Sequence, residues 1–167
     1  MEGRALVGIF RPGMRGYFVP LAAGIFLTIS AFLPWVIVGG ATMRGVPDVP
    51  GLWVAGLGAL AAVLALLSLI TRKNSRHPLL LVGLLALGIM FLSWRILPRT
   101  AGERALTISQ AFAIVENTPL DVAPLAVVGA GIYLGLLSSS VLVAFGLTIV
   151  FKKASRPFAV ADPDDDV

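Results

Sequence analysis

The chain has 167 residues, of which 57% are hydrophobic and 13% charged, against roughly 45 to 50% apolar and about 25% charged in an ordinary soluble domain. Its net charge of +4 does not point to nucleic acid, because the bases flank hydrophobic segments instead of clustering on one polar face. With no cysteine, disulfides, thiolate nucleophiles and cysteine-bound metals are excluded.

Residues 16 to 43, 49 to 71, 77 to 94 and 122 to 151 hold no Asp, Glu, Lys or Arg. A helix rising about 1.5 Å per residue needs roughly 20 residues to cross about 30 Å of hydrocarbon, and each gap supplies them. The pattern predicts an all-α integral membrane protein, an up-down four-helix transmembrane bundle with a short outer interfacial helix. Its spans are expected at about 17–38, 52–70, 78–96 and 124–151. They follow a cytoplasmic amino-terminal segment, 1–16, and precede an acidic cytoplasmic tail, 152–167.

The first span, Tyr17 to Val38, follows Arg4, Arg11 and Arg15 as the core of a signal peptide would. It exceeds the usual apolar length of about 7 to 15 residues and three spans follow, so it reads as an uncleaved helix. Pro20 falls in its first turn, where a missing N–H costs least. Trp35 suits the headgroup level, and Gly39 and Gly40 release the chain into a short loop, Ala41 to Pro50. The second span, Leu52 to Ile70, is followed by Arg72, Lys73 and Arg76, and Pro78 suits the first turn of the third.

The third span ends near Ser93, Trp94, Arg95 and Ile96. Arg95 and Trp94 are expected at the outer interface, with Arg95 snorkelling to the headgroups. In the outer connection, 97–123, Thr107 and Gln110 fit a capping box ahead of an apolar stripe of Ile108, Phe112 and Val115. A short helix along the membrane surface is the expectation, with those three packing on the bundle top or dipping into the interface. Thr118 and Pro119 give a second start signal before Asp121, and Pro124 gives a third. The fourth span ends at Phe151 against Lys152 and Lys153, and the tail closes with Asp162, Asp164, Asp165 and Asp166.

Orientation follows from the bases beside the spans. Nine (Arg4, Arg11, Arg15, Arg72, Lys73, Arg76, Lys152, Lys153 and Arg156) fall on one side and four (Arg44, Arg95, Arg99 and Arg104) on the other. Positive loops stay in the cytoplasm, so both termini are expected there, in the inner membrane of a bacterium whose Ala, Gly, Leu, Val and Arg bias suggests a GC-rich genome.

Little chemistry is on offer. No acidic residue or histidine falls inside an expected span, whereas ion-coupled transport and intramembrane catalysis usually need ionisable groups there. His77 sits at a helix entrance among bases, and Glu103, Glu116 and Asp121 have no recognisable ligand spacing. Ser138, Ser139 and Ser140 lack a base in reach and read as packing residues. No cofactor or metal and no catalytic residue is expected.

Trp35 followed by Gly51, Leu52 and Trp53 resembles the W and GLW signature of claudin-like four-span proteins. Members of that family follow the motif with a cysteine pair in a long first outer loop, which this chain lacks, so no function is carried across.

Two strips of small residues recur every four positions: Gly131, Gly135 and Ser139 on the fourth span, and Gly51, Ala55 and Ala59 on the second. Such strips let helix backbones approach in lipid, where the hydrophobic effect gives helices little reason to associate. The function read from this is a structural or accessory subunit that packs against other membrane subunits or copies of itself. The alternative is a small transporter or channel whose path, lined by Ser, Thr, Gly and carbonyls, lies between protomers.

Overall fold

The computed structural model describes residues 15–71, 76–117 and 125–154. The expected start signals at Thr118, Pro119, Asp121 and Pro124 lie outside the described residues, as do Arg4, Arg11, Arg72, Lys73, Arg156 and the acidic end of the tail. A 3-10 turn at Arg15–Tyr17 leads into α1, Phe18–Ser30. Two short strands follow, β1 at Pro34–Val38 and β2 at Ala41–Arg44. The helices α2, Val49–Thr71, and α3, Arg76–Glu116, come next, then β3, Ala126–Val128, and α4, Ala130–Ala154.

The protein is mostly helical, and three of its helices are long and apolar enough to cross a membrane: Val49–Thr71, His77–Glu116 and Ala130–Thr148. That marks it as a membrane protein. The first expected span is corrected, because α1 has 13 residues and rises only about 20 Å. Pro34 disfavours helix at the residue before it, and the β-branched run Val36, Ile37, Val38 takes up strand instead.

The short loop expected after it is a hairpin. Val38 pairs with Ala41, leaving Gly39 (φ 53°) and Gly40 (φ 85°) as the two turn residues. A two-residue turn of this kind needs positive φ at both positions, which glycine adopts without Cβ strain. The sheet order is β2-β1-β3, all antiparallel, with Val36 opposite Val128 and Val38 opposite Ala126. Its presence corrects the all-α expectation.

A second correction concerns the outer connection. The third span and the expected surface helix are one helix, α3, of 41 residues and about 60 Å. Helix formers at Leu97, Ala101, Glu103, Arg104, Ala105 and Leu106 carry it past Pro98, whose ring removes only the N–H owed to the Trp94 carbonyl. Thr107 does not cap: its hydroxyl donates to the Glu103 carbonyl at 2.9 Å, inside a continuing helix.

The helices pack as a ring in which α1 touches α2 and α4, and α3 touches α2 and α4. Leu27, Val54, Leu79, Met90, Ile132 and Leu142, all fully buried, fill its centre. At one end Tyr17 meets Phe145 edge to face at 5.3 Å. At the other, the sheet lies on α3 and the start of α4.

Candidate interaction surfaces

Trp35 fastens the sheet to the helices. Its indole N–H donates to the Ser30 carbonyl at 2.9 Å, while the Ser30 hydroxyl donates to the Leu27 carbonyl at 2.6 Å. The N–H of Val46 donates to the Ala31 carbonyl at 2.9 Å and that of Gly129 to the Trp35 carbonyl at 2.7 Å. Gly45 backs the ring so closely that a Cβ there would collide with it, and a Cβ on Gly131 would come 2.7 Å from Cδ1. Segments on both sides of α2 and α3 are thereby held against one indole.

The expected strip on α4 faces into the chain. Gly131 lies under Trp35, and a Cβ on Gly135 would strike the Met90 methyl and come 3.0 Å from the Ser30 hydroxyl. Ser139 is fully buried and donates to the Gly135 carbonyl at 2.8 Å. Ser138 is buried beside it, and Ser140 is exposed.

The strip on α2 does not form one buried face: Gly51 is packed against the Gly45 backbone, Ala55 is half-buried and Ala59 is exposed. The α2 backbone comes close to α1 at Gly58, where a Cβ would lie 2.6 Å from the Thr28 nitrogen. Across the contact, a Cβ on Gly24 would lie 2.6 Å from the Ala62 nitrogen. The buried face runs through Val54, Gly58, Ala61 and Ala65, a three-and-four spacing that the sequence displays but a search for four-residue repeats passes over.

Trp94 is half-buried and Arg95 exposed, with the guanidinium carbon 5.9 Å from the Trp94 ring centroid. From Trp94 to Glu116 α3 runs on for about 33 Å. Leu97 and Ala101 still pack on the core, but Ile108 (57% exposed), Phe112 (61%) and Val115 (83%) do not. Of the two expected placements, packing on the bundle top is not seen among the described residues. The segment prolongs α3 instead of folding back over the helix ends, so none of the described residues buries them. Ile114 and Leu125 are each 80% exposed, which extends the apolar surface of this outer end.

Among the described residues no group of three or more His, Cys, Asp or Glu converges to hold a metal. His77, Glu103 and Glu116 are exposed and separate. No protein-family model, curated protein or solved structure significantly matches the chain.

Proposed function

We propose that the protein is an accessory subunit of a membrane assembly, a compact anchor that holds out the end of α3 for a partner subunit or a second copy. The observation that carries this is the apolar surface of Ile108, Phe112 and Val115, exposed on a helix that extends well beyond a bilayer's thickness. Phe112 stands about 27 Å along the axis from Trp94. The polar layers of a bilayer add only about 5 to 8 Å to each side of its hydrocarbon, so lipid does not reach that far along an upright helix. An apolar group of this kind in water is a protein-contact signal.

In this reading the apolar stretch 16–33, α1 with the residues on either side of it, makes a fourth crossing beside α2 and α4, and the spans alternate up and down. The nine bases on one side against four on the other put both termini in the cytoplasm of a bacterial inner membrane and the sheet outside. The buried small residues Gly24, Gly58, Gly135 and Ser139 then serve the anchor's own packing, and contact with other subunits falls to the arm. A photo-crosslinking residue at Phe112 in native membranes tests it: discrete protein adducts are expected, and adducts with lipid alone overturn it. The competing reading, a transporter or channel with a path between protomers, requires solute flux in liposomes holding only this chain. No flux is expected.

A further inference from the structure

Between α2 and α3 an apolar groove of about 430 Å³ is lined by Trp53, Ile89, Leu92 and Ile96 together with Val49, Pro50 and Leu97. The last three also line a second cavity, about 280 Å³, between the hairpin and the outer half of α3. The two spaces therefore adjoin, with those three residues between them. In the second, the lining changes character: Arg44 from β2, Asp48 ahead of α2, and Thr100 and Arg104 from α3 surround it. Ile89, Ser93, Ile96, Thr100 and Arg104 recur at three- and four-residue spacing along one face of α3, so a single helix carries the transition from hydrocarbon to cation.

We infer that these adjoining spaces together bind an anionic phospholipid, with one acyl chain in the groove beside Trp53 and the phosphate between Arg44 and Arg104. The change falls between Leu97 and Thr100, about 5 to 9 Å along the axis beyond Trp94, in the polar layer of a bilayer. The long Arg104 side chain leans back toward it from the next turn. Among the described residues neither arginine is held by an ion pair, so both guanidiniums are free to meet a phosphate, which they bind by paired hydrogen bonds. Asp48 offsets one of the two charges, leaving one net positive charge at the headgroup position. The amino-terminal end of α2 opens on the same cavity through Val49 and Pro50, and its dipole adds to the attraction. This surface is separate from the exposed end of α3 and is independent of the accessory-subunit reading.

The test uses the full chain carrying Trp94→Phe, reconstituted in phosphatidylcholine vesicles with a minor fraction of lipid brominated on its acyl chains. Trp53 is 62% exposed on the groove, whereas Trp35 is 2% exposed, so quenching reports the groove. Brominated phosphatidylglycerol is expected to occupy the site about five-fold more readily than brominated phosphatidylcholine, the factor that one net basic group supplies near an anionic lipid. Arg44→Ala with Arg104→Ala leaves Asp48 alone and should bring the preference to one or below, Arg99→Ala should leave it unchanged, and Asp48→Asn should raise it. Should the double variant not fold, Arg104→Gln alone must lower the preference, and so must high salt with the parent chain. Equal quenching by the two lipids, or a preference that survives loss of the arginines, overturns the assignment.

Discussion

The indole N–H of Trp35 and the carbonyl of Ser30, 2.9 Å apart, close the outer end of α1 onto the strand that follows it. Ser30 is in the last turn of α1, where carbonyls lack helical donors. Trp35 supplies one, and its ring fills the space that Gly45 and Gly131 leave. Trp35→Phe removes the donor and part of the ring. A loss of about 1 to 3 kcal/mol is expected, read as an earlier thermal transition in detergent, with loosening confined to the sheet in hydrogen exchange.

The glycines divide by what faces them. Gly58→Ala drives a methyl group toward the Thr28 backbone and should cost about 1 to 3 kcal/mol. Gly135→Ala meets the end of the flexible Met90 side chain first and should cost less. Gly56 and Gly88 have nothing near an added Cβ, so alanine there should stabilise the helix by up to about 1 kcal/mol. Thermal midpoints of the four single variants give the order, and equal midpoints for Gly58→Ala and Gly56→Ala would refute it.

Much of this arrangement was legible in the chain's own letters. The charge-free stretches locate α2, the membrane half of α3 and α4, because burying charge in lipid is costly enough to exclude it from such helices. The sheet was not found, since an apolar run such as Trp35 to Val38 next to a hydrophobic helix reads as more helix. The Gly39-Gly40 pair between two apolar runs was the available signal. The end expected near Ile96 is passed for a different reason: the polar residues there do not stop a helix, and Pro98 inside it removes one hydrogen bond while its neighbours keep the remainder. Of the candidate surfaces, the small residues of α4 were readable from spacing. The cleft of Arg44, Asp48 and Arg104 was not, because it joins three elements far apart in sequence.

Because the chain has no cysteine, single engineered cysteines give an unambiguous map of sidedness. Cysteines at Thr42 and Thr107, both exposed positions, should react with an impermeant maleimide in intact cells. Positions at the amino terminus, at Ser75 and in the tail should react only after lysis. Reaction at the tail but not at the amino terminus would mean an odd number of crossings.

Phe112→Ser with Val115→Ser changes two exposed positions on α3, where substitutions usually shift stability by less than about 0.5 kcal/mol. The thermal midpoint should therefore stay put while partner copurification or self-association falls sharply. A lowered midpoint with association intact would mean that the arm supports the fold and does not bind a partner.

The pairing of Val36 with Val128 also dictates an order of events during synthesis. The β1–β2 hairpin can form as soon as its residues emerge, but the other edge of β1 has no mate until α2, α3 and residues 126–128 have been made. Closing so long a loop is slow, and for that interval Val36 to Val38 present an open strand edge, the kind that recruits strands from neighbouring molecules. A nascent chain stalled before residue 126 would leave the edge open permanently. Messages truncated there should yield a product more prone to clumping and degradation than its hydrophobic content alone would suggest.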